Sequence, residues 1–359
     1  VLRTGVAMNS LKSFDDSIQL IQSEYGNFTQ PDQKAEAQFL VGQAYLMSDR
    51  PADAAVAFGR SAEAAPGWSR SGESILLQGT ALLSSGDADG AKATWSKLLK
   101  ADESSKMADQ ARYKIAQLAS RGGDYEAAIE LYDQIIKADR DQGLIPYALY
   151  GRGWSDMQQG RHKQAMTSLN RLLKDSPNHP LSDDALIARG ISYRTLGEID
   201  AAESDLKQYL DLQPVGINLG HALYEMAIVD QKQKRPREAS QRLERLVNEV
   251  PDYPGMDKVL YELGWALRES GQDDQAVEQF RKLLSQYPDT SFAADGAYFV
   301  AQKSYSAGDW SDAAKFFRLA AEKSDDDVMS EKALYRLGWS LFKDSKLDDA
   351  KEAFTRQAD

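Results

Sequence analysis

The chain has 359 residues, a formal net charge of −12, 42% hydrophobic residues and 27% charged residues, as in an ordinary folded protein. The acidic balance argues against a nucleic-acid partner, because such a partner requires a basic surface. The sequence contains no cysteine, which excludes disulfides, thiolate zinc sites and cysteine catalysis. No apolar run is long enough to span a membrane directly.

A small residue recurs at a constant spacing of 37 residues, each time inside a segment with helical apolar periodicity. These positions are Ser17, Ala54, Ala91, Ala128, Ala165, Ala202, Ala239, Ala276, Ala313 and Ala350. A period of this size, held without an insertion, indicates stacked copies of one supersecondary unit rather than a globular core. The sequence therefore predicts a single continuous array over residues 1–359.

Each copy is predicted to contain a helix A, a tight turn and a helix B. Twelve residues before the recurring small residue lies a second one: Gly42, Gly79, Ala116, Gly153, Gly190, Ala227, Gly264, Ala301 and Gly338. Four residues after it lies a bulky apolar one: Phe58, Trp95, Tyr132, Leu169, Leu206, Leu243, Phe280, Phe317 and Phe354. The paired small residues predict a close helix crossing, with the bulky residue filling the space beside it.

Glycine and proline mark the ends of the predicted helices. Segments such as Ser85-Gly86-Asp87 and Ala307-Gly308-Asp309 separate helix A from helix B, where glycine suits a left-handed helix stop. A proline lies 12 residues after the small residue in five copies and predicts the end of helix B. These are Pro66, Pro177, Pro214, Pro251 and Pro288.

This order of Leu, Gly, Ala, an aromatic residue or Leu, and Pro resembles the tetratricopeptide repeat, with three residues more than the common 34-residue form. The predicted fold is all-α, a right-handed superhelical solenoid of about ten stacked antiparallel helix pairs. Segments 287–291 and 333–338 look like the longer repeats of bacterial cell-envelope proteins. Two such families are the Tol–Pal-associated periplasmic repeat protein and the repeat lipoprotein of the outer-membrane barrel assembly machinery. The resemblance implies a periplasmic or cell-envelope location, with the cytoplasm as the alternative.

Both ends of the array differ from its middle. The first copy has only a short helix A, and the last ends directly after helix B at residues 355–359. Solenoids usually finish with a polar capping helix, and the sequence shows none. We therefore expect the first and last repeats to be incomplete or uncapped, and the chain to be part of a longer protein.

The residues that usually carry catalysis are nearly absent. The three histidines, His162, His179 and His221, lie in different repeats, so shared coordination of a metal is not expected. No phosphate-binding glycine loop, nucleophile elbow or paired-His helix occurs. We predict a protein that is not an enzyme and that has no cofactor and no metal site.

An aromatic stripe runs along the predicted A helices. Three residues before the small residue of helix A, seven of nine copies have an aromatic residue, against an overall content of 9%. The resemblance implies that this position, and the position four residues later, line the concave groove of the array. The predicted groove residues come from these two positions and from the densest stretches around them: Tyr113, Tyr147, Tyr150, Trp154, Met157, Tyr224, Tyr261, Trp265, Tyr298, Tyr335, Trp339 and Phe342.

Two interpretations of this stripe remain open. Its rings can line a ligand groove, or they can pack against helix A of the next repeat, where tyrosine suits a half-buried site. Family members that bind acidic C-terminal peptides place Lys, Asn and Arg at these positions. Pairs such as Tyr150 and Trp154 cannot form that carboxylate clamp.

The sequence predicts a non-enzymatic scaffold that binds an extended or helical segment of a protein or peptide partner in the groove. A second hypothesis is a periplasmic array that handles polysaccharide in an export system, since aromatic rings stack on sugar rings. A third is the docking domain of a longer enzyme.

Overall fold

A computed structural model describes residues 1–101 and 103–358. Over these residues the chain forms twenty α-helices, one short 3-10 helix and no β-strand. The first ten helices are α1 Leu2–Ser10, α2 Phe14–Ser23, α3 Pro31–Met47, α4 Pro51–Ala64, α5 Ser71–Ser84, α6 Ala88–Ala101, α7 Lys106–Arg121, α8 Tyr125–Ala138, α9 Ile145–Gln158 and α10 His162–Asp175. The others are α11 Leu181–Leu196, α12 Ile199–Asp211, α13 Gly216–Lys232, α14 Pro236–Glu249, α15 Met256–Glu269, α16 Asp273–Gln286, α17 Ala293–Ala307, α18 Trp310–Lys323, α19 Asp327–Lys343 and α20 Leu347–Ala358.

The helices form two compact units. The first unit ends at Ala188 and the second begins at Arg189, so the boundary falls inside α11. Within each unit a helix packs mainly on its neighbours in the sequence, as expected when every repeat contacts only the adjacent ones. The all-α repeat fold is confirmed, while the continuity of one array over residues 1–359 stays a prediction.

The turn between the two helices of a repeat has the same backbone conformation in all ten copies. Each contains a residue with positive φ, at a spacing of 37 residues: Lys12, Asp49, Gly86, Gly123, Gly160, Gly197, Lys234, Gly271, Gly308 and Ser345. The next residue donates its N–H back across the end of helix A, as from Asp87 to the Leu82 carbonyl at 2.9 Å. This is the Schellman helix stop, and it confirms the predicted turns.

The close helix crossings are also confirmed. All ten recurring small residues of helix B are buried. A Cβ added to Gly264 would lie 2.6 Å from Cζ of Phe280, and one added to Gly79 would lie 2.3 Å from Nε1 of Trp95. The glycine therefore makes room for the bulky residue of the partner helix, which lies directly against it. Eight of the nine bulky residues are buried, and Phe354 is half-buried.

Helix B ends where the prolines predict. In each of the five copies with the shared proline, the helix stops two or three residues before it, for example α4 before Pro66 and α12 before Pro214. The link that follows leads directly into helix A of the next repeat. The A helices, α1 to α19 with odd numbers, carry all twelve predicted groove residues.

Candidate functional site

The twelve predicted groove residues lie on six A helices, and none of them is buried. Five are exposed: Tyr147, Trp154, Tyr335, Trp339 and Phe342. Seven are half-buried: Tyr113, Tyr150, Met157, Tyr224, Tyr261, Trp265 and Tyr298. The stripe is therefore divided between rings that face solvent and rings that pack partly against neighbouring helices. We refer to these twelve residues as the aromatic stripe.

In the first unit the exposed part of the stripe lies on α9. Trp154 is 40% exposed, although its repeat has a neighbour on either side along the chain. Tyr147 packs edge-on against Tyr113, with ring centroids 6.1 Å apart, and against His179 at 4.8 Å. Leu181 donates its backbone N–H to Nδ1 of His179 over 3.1 Å, which holds the imidazole in place. His179 thus acts as a packing partner of the stripe.

The half-buried tyrosines of the first unit pack against the core that α7 to α10 form with the first half of α11. Tyr150 contacts this core, and burial together with the charge of Asp184 raises the pKa of its hydroxyl to about 12. Burial and the neighbouring Tyr147 likewise raise the pKa of Tyr113. The Tyr113 hydroxyl accepts a hydrogen bond of 2.9 Å from Gln117. These rings fit the packing interpretation of the stripe.

On α15 the stripe is enclosed by rings from its own repeat and the next. Trp265 packs against Phe280 at 5.4 Å and against Phe299 of α17 at 5.8 Å. Tyr261 stacks on Phe292 with centroids 4.5 Å apart, and its hydroxyl donates to Asp295 over 3.1 Å. Burial and the charge of Asp295 raise the pKa of Tyr261 to about 12. Both side chains thus connect consecutive repeats.

On α19 the same positions are open to solvent. Tyr335, Trp339 and Phe342 are 46%, 37% and 50% exposed. The Trp339 ring lies 6.3 Å from Tyr335 and 5.7 Å from Phe342, with interplanar angles of 76° and 83°. Phe354 of α20 packs against the same group of rings, with its centroid 5.8 Å from that of Trp339. We call the three exposed rings and Phe354 the aromatic notch; they contact one another edge-to-face and form one apolar surface.

The sequence-based prediction overlooked two arginines that lie over aromatic rings of the A helices. The guanidinium of Arg268 lies 4.9 Å from the centroid of Trp265 and 5.6 Å from that of Phe299. The guanidinium of Arg336 lies 5.8 Å from the ring of Tyr305. In the sequence, Arg268 and Phe299 are 31 positions apart, and so are Tyr305 and Arg336. This separation leads from the end of one A helix to the middle of the next. That spacing is the signal that could have identified them.

The two remaining histidines do not meet at a common point in the part of the chain that is described. His221 lies in the first half of α13, and its Nδ1 is 3.0 Å from the hydroxyl of Tyr253, which precedes α15. His162 begins α10. Among the described residues, no group of three or more His, Cys, Asp or Glu side chains is arranged to hold a metal ion.

The helix pairs with glycine and alanine at the crossing define a class of protein. Residues 76–143 and residues 332–356 each match a tetratricopeptide repeat family, the class of repeat that such helix pairs resemble. More particularly, residues 143–298 match the YfiO family of outer membrane lipoproteins. The predicted resemblance to tetratricopeptide repeats of cell-envelope proteins is confirmed. No curated protein matches the chain significantly.

Solved structures similar to this chain are repeat proteins of the same kind. A tetratricopeptide repeat protein from Parabacteroides merdae is 17% identical and covers 75% of this chain and 98% of its own, with a TM-score of 0.51. The C-terminal part of a repeat protein from Cytophaga hutchinsonii is 12% identical, covers 72% and 99%, and has a TM-score of 0.57. PilW, a type IV pilus biogenesis factor, is 19% identical, covers 60% and 94%, and has a TM-score of 0.51. At these identities the likeness establishes the fold.

The fold is of a scaffold type that is consistent with protein–protein interaction. Families of this repeat are typically non-enzymatic. None of the helices described has both the length and the apolar character needed to cross a membrane.

Proposed function

We propose that this chain is a non-enzymatic scaffold that binds an extended or helical segment of another protein along its aromatic stripe. We place it in the bacterial periplasm or cell envelope. The match of residues 143–298 to an outer membrane lipoprotein family supports the location. The repeat fold supports a protein partner, since stacked helix pairs present a long continuous surface.

The exposed rings of the stripe carry this proposal: Trp154 on α9, and the aromatic notch on α19. Three large rings lie next to one another on α19 and each exposes more than a third of its surface. Tryptophan and tyrosine are the residues that most often dominate binding at protein interfaces, because they bury a large rigid surface with little loss of side-chain entropy. Trp154 on α9 would provide a second anchor in the first unit.

The geometry of the notch favours an apolar side chain over a sugar. A sugar ring stacks on the open face of an aromatic ring, whereas the rings of Tyr335 and Phe342 meet Trp339 nearly at right angles. Such an arrangement suits packing of a Leu, Met or Phe side chain on the exposed edges of the rings, which already contact one another. The helix-in-groove and extended modes of peptide recognition both place one such anchor in an apolar recess.

A binding assay tests this proposal directly. Peptides of 16 residues would be selected from a phage-displayed library on the immobilised wild-type chain, and their Kd measured by titration calorimetry. We expect Trp339→Ala to weaken the selected peptides by about 2 kcal/mol, roughly thirtyfold in Kd, and to leave the unfolding curve nearly unchanged.

Trp68 offers a matched control, because it is a half-buried tryptophan in the link between α4 and α5, away from the stripe. Trp68→Ala should leave the peptide affinity unchanged. Peptides that bind the Trp339→Ala and wild-type chains equally would overturn the proposal. So would a selection in which xylan or dextran fragments displace every peptide, since this would favour the polysaccharide hypothesis.

A further inference from the structure

A ladder of side-chain pairs joins successive A helices of the second unit. In each pair, a residue near the end of one A helix contacts a residue in the middle of the next A helix, 31 positions further along the chain. Nε of Arg194 lies 2.7 Å from Oε2 of Glu225, and Nε2 of Gln231 lies 3.1 Å from Oε2 of Glu262. In these first two steps the group from the next repeat is a carboxylate, and it accepts a hydrogen bond from its partner.

The next two steps of the ladder lack the carboxylate. Phe299 stands where Glu225 and Glu262 stand in earlier repeats, so Arg268 contacts a ring 5.6 Å away. One repeat later the position is occupied by Arg336, which lies over Tyr305. Within residues 1–101 and 103–358, neither Arg268 nor Arg336 forms an ion pair with a carboxylate, although the chain has 55 acidic residues against 43 Lys and Arg. Two guanidinium groups are thus held on aromatic faces with N–H groups still available.

A cavity of about 260 Å³ lies between these two arginines. It is formed by α15, α17, α18 and α19, and Gln302, Lys303 and Ser306 also line it. Lys303 is already paired with Asp273, whereas the amide of Gln302 adds neutral donors. This volume is enough for a carboxylate side chain to enter between the two arginines.

We infer that this cavity binds a carboxylate side chain, Asp or Glu, of the partner segment that occupies the aromatic stripe. The incoming carboxylate would accept hydrogen bonds from Arg268, as Glu225 does from Arg194 in the first step of the ladder. A guanidinium that is stacked on a ring is pre-oriented and can donate two parallel hydrogen bonds to a carboxylate. The inference rests on the proposed function, because it specifies the charge of the same partner.

A synthetic probe tests the cavity without the natural partner. The probe is an octapeptide of alternating Gly and Glu, with an amidated C-terminus and a tetramethylrhodamine label. Its comparison peptide has Gln in place of Glu. Fluorescence anisotropy at low ionic strength should show binding of the Glu peptide to the wild-type chain and no binding of the Gln peptide.

Substitution of either arginine should weaken this binding. We expect Arg268→Gln and Arg336→Gln each to raise the Kd of the Glu peptide roughly tenfold, since a hydrogen-bonded charge pair is lost. Arg268→Lys keeps the charge but loses the planar fork, so its effect should be intermediate. Arg237→Gln, an exposed residue of α14, makes the same change of charge elsewhere and should shift the Kd less than twofold. Circular dichroism melts would establish that each variant is folded.

Three results would overturn the inference. The first is failure of the Glu peptide to bind the wild-type chain at millimolar concentration, and the second is equal binding to the Arg268, Arg336 and Arg237 variants. The third is displacement of the peptide by inorganic phosphate at equal concentration, which would make the cavity a general anion site. Each of these results leaves the aromatic notch untouched, because the probe has no apolar anchor. Conversely, unchanged peptide affinity in Trp339→Ala would reject the proposed function while the Glu peptide still bound.

Discussion

Trp154 and Trp265 occupy the same position in two repeats that are three copies apart, yet their surroundings differ. Trp154 is 40% exposed, whereas Trp265 is half-buried between Phe280 and Phe299. The residue 34 positions after Trp265 is Phe299, and the residue 34 positions after Trp154 is Ala188. The local sequence around each tryptophan is alike, so the next repeat decides whether the indole is covered.

The largest effect is expected when Phe299, the neighbour of Trp265, is replaced by alanine, the residue found at the equivalent position after Trp154. Phe299→Ala should lower the free energy of unfolding by roughly 3–5 kcal/mol, since it leaves a cavity, and should expose Trp265. With 5-fluorotryptophan in the protein, the ¹⁹F signal of Trp265 would gain a solvent isotope shift between H₂O and D₂O.

Phe316→Ala is the matched control, because Phe316 is equally buried but lies on α18. It should cost similar stability without changing the signal of Trp265. An unchanged Trp265 signal in Phe299→Ala would show that Phe299 does not cover the indole.

The second prediction concerns what the two repeats share. Ala165 and Ala276 are fully buried at their helix crossings, and the Ala165 carbonyl would lie 3.4 Å from a Cβ on Gly153. Ala165→Leu and Ala276→Leu should each cost about 1–3 kcal/mol through overpacking. Urea unfolding measures both. A loss in only one of the two variants would mean that the crossings are not equivalent.

The third prediction concerns the turns of the same two repeats. Gly160 and Gly271 have positive φ, at 69° and 81°, where an L-residue is strained. Gly271→Ala and Gly160→Ala should each cost about 1–2 kcal/mol. Lys234 already adopts φ of 57° with a side chain, so Lys234→Ala should change the melting temperature little. Equal melting temperatures for all three variants would show that these turns relax on substitution.

The smallest effect is expected from the tyrosines that precede the two tryptophans. Burial raises the pKa of Tyr150 and Tyr261 to about 12, above the value near 10 of an unfolded chain. The folded state therefore keeps the hydroxyl proton more tightly, and stability is lost as the pH rises from about 10 through 12. Both rings are partly exposed, so the loss should stay below about 1 kcal/mol for each.

Urea unfolding at pH 8 and pH 11 would measure this loss in the wild type and in Tyr150→Phe and Tyr261→Phe. The Phe variants should lose less stability than the wild type between the two pH values. At pH 8 Tyr261→Phe should already cost about 1 kcal/mol, since it removes the hydrogen bond to Asp295. Equal alkaline losses in all three proteins would argue against the raised pKa values.

The repeat could be predicted from sequence because its signals are local and recur. The small residues at the crossing, the glycine stops and the prolines act within one helix pair, and their agreement over many copies removes ambiguity. The division of the aromatic stripe was not predictable in the same way. Whether Trp154 or Trp265 is exposed depends on a residue of the next repeat, Ala188 or Phe299, whereas the residues of the stripe itself are alike in the two repeats. The role of the stripe as a ligand groove stays a prediction.

The cations were overlooked for a related reason. Arg268 and Arg336 stand at different positions of their own A helices. A comparison of equivalent positions in successive repeats therefore does not group the two arginines together. Each arginine contacts its ring, Phe299 or Tyr305, only across the boundary between consecutive repeats. A search for pairs 31 residues apart would have found both contacts, together with the pair of Arg194 and Glu225.

The uniform helix stop has a consequence for how such a chain can change in length. Because every turn has the same backbone conformation and the same spacing, removing or duplicating a stretch of 37 residues rejoins one native turn to another. Any anchor on the A helices, such as Trp265 or Trp339, can then move relative to another only by whole repeats. The distance between two such anchors therefore changes in steps of one repeat. A change in the number of repeats is the way to adjust the spacing of the contacts with a long partner.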